Sequence, residues 1–331
     1  MRTRIVMWVI TAYITLNCPR IVYFIFSILF FGTRFRRVVA YLAAFSCFLV
    51  FLNGIFLTRR QPEVKTICIR SSKIPKSFDE YRIVQLSDIH LGGMMFPESE
   101  LSRLLSVALE QHPDAVAFTG DLVVSDHIEL NNEQMKLLRL LRGRDGMFAV
   151  QGNHDIGVYS YRGGEELPKI IDTLLFKQRN MGWTMLLDST IYLRRGADSI
   201  SLSGTAYSLQ LYSRKVPYDI PEDYSLDSMY RQVPKNLFNI TLTHLPMMSR
   251  QIIKAGYGDL ILSGHVHAMQ MKLSLFGYTF SPAQWLYKHW SGLYDIDGHK
   301  LYVNDGYGSV GFFLRLGVKP EVSVIILHSE C

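Results

Sequence analysis

The chain has 331 residues, with 35 Lys and Arg against 29 Asp and Glu and a formal net charge of +6, which is room for one large domain and an accessory segment. The basic balance favours anionic partners such as phosphorylated molecules or acidic lipid headgroups, while the lack of a Lys/Arg block interleaved with aromatics gives no support to nucleic-acid binding. Four cysteines, Cys18, Cys47, Cys68 and Cys331, form neither a disulfide framework nor a Cys-x-x-Cys metal pattern and leave the redox compartment open.

Residues 5–31 are apolar but interrupted by Asn17, Pro19 and Arg20, and are read either as a kinked membrane span or as an interfacial segment. No small-residue cleavage site marks them as a signal peptide. Residues 38–57 form an uncharged apolar run long enough to cross a bilayer, flanked by Arg34, Arg36 and Arg37 on one side and Arg59 and Arg60 on the other. The expected division is therefore a membrane anchor at 1–60 and a single domain at 61–331. Arg20, Arg34, Arg36 and Arg37 only slightly outweigh Arg59, Arg60 and Lys65, so the side of the membrane that carries the domain stays open.

Beyond residue 61, β-rich runs alternate with helical patterns, which predicts an α/β domain. Strands are expected at 82–86, 115–119, 147–151, 200–203, 239–243, 260–263, 300–303 and 322–327. The clearest helix is 98–111, where Leu101, Leu104, Leu105, Ala108 and Leu109 recur at helical spacing; further helices are expected at 132–142, 167–181 and 247–255.

Five of the expected strands run into polar clusters: Asp88 and His90; Gly120 and Asp121; Gly152, Asn153, His154 and Asp155; His244; and Gly264, His265 and His267. Loops leaving the strand ends of an α/β sheet converge on one edge, so these clusters can share a cleft. Carboxylate, carboxamide and imidazole groups bind Mn, Fe, Co or Zn, and their number exceeds what one ion needs. On an extended segment the i, i+2 spacing of Asp88/His90 and His265/His267 sends each pair to one side, and the preceding glycines let the backbone turn off the strand.

In this order the segments resemble the calcineurin-like metallophosphoesterase family, whose signature runs Asp-x-His, Gly-Asp, Gly-Asn-His-Asp/Glu, a lone His and Gly-His-x-His. The resemblance covers about residues 80–327. Ser291 to Tyr294, Leu301 to Val303, Gly306 with Gly308, Leu314 to Gly317 and Pro320 to Val322 resemble the C-terminal block of the subfamily with N-terminal membrane segments. The resemblance implies a four-layer α/β/β/α sandwich with mixed sheets and two divalent metal ions, Mn first, with Fe, Zn or Co as alternatives. It further implies that Asp88, His90 and His267 hold one ion and Asn153, His244 and His265 the other, with Asp121 shared. His154 is expected to protonate the leaving oxygen and Asp155 to orient it. Two departures, Ala268-Met269-Gln270 and Asn304-Asp305-Gly306, leave the substrate pocket's shape open.

Lys288 and Arg315 are read either as ligands for a second phosphate or as exposed solubilising charge. The stretch 206–230, with Tyr207, Leu209, Leu211, Tyr212, Tyr218, Tyr224 and Tyr230, is read as a packed loop or as a cap within an insert at about 156–236. His112, His127, His289, His299 and His328 fall outside the motifs and are read as surface or turn residues. A membrane anchor favours a phospholipid or lipid-linked substrate in the same bilayer. One candidate is UDP-diacylglucosamine, whose pyrophosphate is hydrolysed in lipid A synthesis by enzymes resembling this family. A tethered phosphodiesterase or phosphatase for soluble substrates and a non-catalytic metal scaffold are the alternatives. No protein partner is indicated.

Overall fold

Two long apolar helices begin the chain in a computed structural model that describes residues 2–161, 166–208, 211, 220, 224–275 and 277–330. The segment interrupted by Pro19 forms the long helix α1 (Arg2–Leu29), and the uncharged run forms α2 (Arg36–Phe56). Both are long and apolar enough to cross a membrane; at 1.5 Å per residue α1 measures about 42 Å. The turn between them, residues 30–35, is exposed. Their other ends rest on the domain: Met7, Thr11, Phe51 and Ile55 are buried. There the Phe313 amide donates to Thr11 Oγ1 at 2.8 Å, and Trp8 packs on the Phe313 ring at 5.0 Å.

The strands are β1 (Glu63–Ser71), β2 (Tyr81–Leu86), β3 (Ala115–Phe118), β4 (Gly146–Ala149), β5 (Thr184–Met185), β6 (Ser189–Arg195) and β7 (Asp198–Gly204). They continue as β8 (Asn239–Leu242), β9 (Leu260–Ser263), β10 (Leu273–Leu275), β11 (Tyr278–Phe280), β12 (Gly292–Ile296), β13 (His299–Val303) and β14 (Glu321–Ser329). One sheet runs β1-β14-β2-β3-β4-β5, parallel except where β14 meets β2. The other runs β12-β13-β9-β8-β7-β6, parallel in its centre and antiparallel at both edges; β10 and β11 form a separate hairpin.

Alternation along the strands sorts side chains into layers. Ile83, Ala117 and Ile325 of the first sheet meet Leu202, Ile240 and Leu262 of the second in one apolar cluster. On the opposite face of the first sheet, Val84, Leu86, Val116 and Phe118 pack under α3 (Pro97–Leu109), α4 (Asn132–Leu138) and α5 (Leu167–Asn180). Ile261, Leu301 and Val303 do the same for the second sheet beneath α6 (Asp227–Tyr230) and α7 (Ser249–Lys254). The result is the expected helix, sheet, sheet, helix order. The α3 face is the expected one: Leu101, Leu104, Leu105 and Ala108 are buried, each leucine contributing about 2 kcal/mol. Pro97 and the acidic Glu98 and Glu100 suit its first turn.

The eight expected strands are present with ends shifted by at most two residues, whereas α4 stops at Leu138 instead of continuing to 142. β1, β5, β6, β10, β11 and β12 are additional. Most are edge or hairpin strands; β1 alternates in burial from Val64 to Ser71, but its inward side carries Lys65 and Ser71 beside Ile67 and Ile69, so no apolar period of two marks it in the sequence. In the tyrosine-rich stretch, Leu209, Tyr212 and Tyr218 lie outside the described residues. Tyr207, Leu211 and Tyr230 are buried in the cluster over the second sheet.

Candidate active site and metal centre

The carboxyl ends of β2, β3 and β4 in one sheet and of β8 and β9 in the other open on the same edge, and every signature residue stands in a loop leaving one of them. The local geometry differs from the expected extended pairs. Asp88, His90, Asp121, His265 and His267 have φ of 54°, 46°, 62°, 73° and 51°. Each is left-handed, at a cost of about 1–2 kcal/mol for a non-glycine residue. Loop-to-loop bonds hold them: the Asp88 amide donates to the Gly120 carbonyl at 2.9 Å and the His90 amide to the Asp121 carbonyl at 3.1 Å. Of the three glycines, only Gly120 (φ 97°) serves the turn. Gly152 and Gly264 are required by close approach, since a Cβ would lie 2.1 Å from Asp121 Oδ1 at the first and 2.3 Å from Asp88 Oδ2 at the second.

The ligand atoms fall into two groups. Asp88, His90, Asp121 and His267 place one atom each within 4.8 Å of one another, all four residues buried; His267 Nε2 lies 2.9 Å from Asp88 Oδ1 and 3.2 Å from His90 Nε2. In the second group, Asn153 Oδ1 stands 3.0 Å from both His244 Nε2 and His265 Nδ1, which are 3.2 Å apart. Asp121 Oδ2 belongs to both, at 3.7 Å from His90 Nε2 and 3.2 Å from His244 Nε2. Lone pairs that converge this closely repel one another unless a cation or proton sits between them, so the donor set fits two divalent ions with Asp121 in common.

Second contacts orient two of the imidazoles. His90 Nδ1 lies 3.1 Å from the Val123 carbonyl and His244 Nδ1 2.8 Å from that of Thr119. A proton donated there leaves each Nε2 as the base that faces the cluster. Burial, together with His154, holds His90 down at about 3, and burial with His244 holds His265 at about 3. Burial also opposes a charge on His244, yet the Asp121 carboxylate outweighs it and raises that imidazole to about 9. Asp121 itself is held well below the usual carboxylate range, because His244 and His154 overcome its burial. The two carboxylates thus draw positive charge into the site.

The family profile of calcineurin-like phosphoesterases matches residues 81–269, over half of the sequence and all of these loops. The chain belongs to the calcineurin-like phosphoesterase family. It is similar to an uncharacterized metallophosphoesterase, YkuE, of Bacillus subtilis, with 29% identity over 79% of this chain and 84% of that protein. A transmembrane protein with metallophosphoesterase domain from Danio rerio is 28% identical over 88% of this chain and 63% of its own length. The phosphodiesterase YaeI of Escherichia coli is 29% identical over 75% of this chain and 82% of that protein. This chain is accordingly a metal-dependent phosphoesterase of a family that is typically dinuclear, and Asp88, His90, Asp121 and His267 form a cluster that could hold a metal ion.

Around the metal centre of this phosphoesterase, His154 retains some exposure and its Nδ1 contacts the Val124 carbonyl. Its ring stacks on Tyr159 at 4.3 Å and meets His90 edge-on at 4.8 Å. Asp155 does not orient it. The carboxylate instead accepts from the amides of Asp121 (2.8 Å), Leu122 (2.8 Å), Val123 (3.3 Å) and Gly152 (3.0 Å), tying the β3 and β4 loops together. Arg315 is not a phosphate ligand either: it is 0% exposed and its guanidinium donates to the carbonyls of Gly308, Asp305, Gly306 and Lys319. Lys288 is exposed, one residue beyond Tyr287, whose ring meets His265 edge-on at 5.9 Å.

Sequence reasoning missed Tyr159, Tyr207 and Tyr287 as neighbours of the His154, His244 and His265 imidazoles, because nothing in their spacing ties them to the motifs. It also missed Gln85, whose Nε2 donates to Thr119 Oγ1 at 3.2 Å and to the Ser263 carbonyl at 2.9 Å and so joins the sheets beneath the site. A polar residue at an inward position of an otherwise apolar strand was the available signal. The Asn304-Asp305 departure is structural: Asn304 bonds Ser323, and buried Asp305 pairs with Lys65 and Lys272.

Proposed function

We propose that this phosphoesterase is anchored by α1 and α2 and hydrolyses a phosphoester or pyrophosphate bond of a lipid or lipid-linked substrate in the same membrane. The observation that carries this reading is the contact between the first helix and the active-site loops. Arg4 Nε donates to the Gly92 carbonyl at 3.4 Å, and Thr3 Oγ1 lies 3.5 Å from Ser125 Oγ, the residue after the carbonyl that contacts His154. Between helix and loops runs a cavity of about 820 Å³ lined by Arg2, Arg4, Trp8, Ser125 and Tyr161 among others. Arg2 and Arg4 share this cavity with Asp126 and Glu129, so the match to a lipid rests on the arginines at the helix end beside the apolar Ile5, Trp8 and Tyr161.

Asp88, His90 and His267 would hold one ion and Asn153, His244 and His265 the other, with Asp121 shared. Such ions supply positive charge to a phosphoryl group and make a water more acidic. His154 stands over this centre with Nδ1 held at the Val124 carbonyl and, when protonated, gives its Nε2 proton to the departing oxygen. Asp155 acts through the backbone, keeping Asp121 in place. Mn is the first ion to test, against Fe, Zn and Co.

The test uses the full chain in lipid nanodiscs, stripped of metal and reloaded with Mn. Substrates are bis(p-nitrophenyl) phosphate, acylated and deacylated glycerophosphodiesters, and UDP-diacylglucosamine, with His154→Ala as control. A kcat/KM at least tenfold higher for acylated substrates is expected. Equal rates would make it a tethered phosphodiesterase for soluble esters, and no turnover of any ester would leave a metal scaffold. The UDP-diacylglucosamine arm also requires the domain on the cytoplasmic face. In the two-helix arrangement Arg2, Arg4, Arg59 and Arg60 lie at the domain end and Arg34, Arg36 and Arg37 at the turn, a near balance that protease protection in sealed membranes resolves.

A further inference from the structure

The β10–β11 hairpin is the least explained apolar element of the domain. Its register pairs Leu273 with Phe280 and Leu275 with Tyr278, so all four side chains stand on one face, while Ser274 and Thr279, whose hydroxyls are 3.0 Å apart, occupy the other. Such an amphipathic ribbon normally covers a core with its apolar face. Here that face is bare: all four residues are exposed, Tyr278 at 84%. Trp285, 73% exposed, extends the patch and meets Phe280 edge-on at 5.4 Å. A two-stranded ribbon gains little stability of its own in water, and a contiguous bare patch of this kind marks a contact surface.

The hairpin's position names the occupant. At its root the Lys272 amide donates to the Leu316 carbonyl at 2.7 Å and the Leu316 amide to the Gln270 carbonyl at 2.9 Å. The same 312–316 segment packs on the foot of α2, where the Arg315 amide reaches the Gly54 carbonyl at 3.3 Å and Leu314 is buried with Phe51 and Ile55. One short segment therefore joins the hairpin to the helices that carry the exposed apolar surface. Aromatic rings with a polar handle, such as Tyr278 and Trp285, are the side chains enriched where hydrocarbon meets headgroups. Exposed Lys288 is three residues from Trp285, within reach of anionic headgroups. The hairpin also returns to the metal loops, since Ser281 Oγ donates to the carbonyl of Ala268, the residue after the ligand His267.

We propose that the apolar face of β10–β11, with Trp285, is a second membrane contact that lies in the bilayer interface and brings the rim of the metal centre to the lipid surface. The proposal rests on the membrane-anchored reading and adds a specific contact to it.

The experiment uses the full chain in phosphatidylcholine/phosphatidylglycerol nanodiscs, with the native cysteines replaced by serine and an environment-sensitive NBD label on Tyr278→Cys. Ala197→Cys, exposed in the turn between β6 and β7 at the edge away from the metal loops, is the reference site. Lipids with a nitroxide near the headgroup are expected to quench the 278 label at least threefold more than the 197 label, with blue-shifted emission. Adding Leu273→Glu and Leu275→Glu should abolish that difference. Equal quenching at the two sites overturns the proposal, and a label on Leu273→Cys repeats the measurement if Tyr278→Cys fails to fold. Because quenching needs no turnover, a failed contact with acylated substrates still preferred removes only the hairpin. A quenched hairpin without that preference removes only the substrate reading.

Discussion

Gly152→Ala is the sharpest perturbation of the metal centre, because it adds one methyl group and removes no functional atom. The new Cβ would lie 2.1 Å from Asp121 Oδ1 and 2.7 Å from the Asp121 amide nitrogen. Non-bonded carbon and oxygen atoms settle near 3.5 Å, so the carboxylate must retreat by about 1.4 Å. Its Oδ2 is the atom common to both ligand groups, 3.2 Å from His244 Nε2 and 3.7 Å from His90 Nε2. Metal sites tolerate about 0.2 Å, and a misplacement of about 1 Å in a catalytic array costs on the order of 100-fold, or roughly 3 kcal/mol of barrier. Metal content by mass spectrometry and Mn-dependent hydrolysis of bis(p-nitrophenyl) phosphate read the effect, with far-UV dichroism reporting the fold. Gly182→Ala is the control: its φ of 84° makes alanine strained, yet nothing lies within 4 Å of the added Cβ, so stability alone should change. A Gly152→Ala protein that keeps two ions per chain and the parental rate would refute the argument that Asp121 is shared.

His154→Ala should lower kcat by about 10²- to 10⁴-fold while bound metal is unchanged; loss of metal in proportion to rate would make His154 a ligand. Stability of the metal-free protein should peak near neutrality. His90 and His265, held at about 3 when folded, titrate near 6.5 when unfolded, so the unfolded chain binds more protons and stability falls as pH drops from about 6.5 toward 3. His244, raised to about 9, contributes stability that is full below about 6.5 and lost as pH rises through 9. An ion takes the place of that proton, so Mn should abolish the alkaline decline in thermal scans; an unchanged decline would contradict the proton's position. Arg315→Lys should cost about 3–5 kcal/mol, lowering Tm by roughly 10 °C, because an amine cannot satisfy the carbonyls that the buried guanidinium fork serves. A raised KM for phosphodiester with Tm unchanged would restore Arg315 as a substrate residue.

The eight inner strands were legible because each carries a β-rich apolar or alternating core that stops at a polar turn, as in Leu260–Ser263 before Gly264. The edge strands were not, since an edge strand such as Glu63–Ser71 places polar Lys65 and Ser71 on its inward side and takes its partner, β14, from the other end of the chain. Asp155 and Arg315 show a different limit. Both carry groups that suit catalysis or phosphate binding, and both are spent on backbone atoms of neighbouring loops, which residue type alone does not reveal.

The sequence by itself determined the chemistry: the donor types, their order, and the apolar length of the first sixty residues follow from side-chain identity and local period. Tertiary structure decided the rest. Left-handed backbone at Asp88, His90, His265 and His267, and not extended strand, turns each pair inward. The packing of two sheets brings Asp121 within reach of imidazoles from both. Only the fold sets α1 beside the active-site loops and leaves the β10–β11 face bare, because which surfaces meet depends on contacts between residues hundreds of positions apart, and no local pattern encodes them.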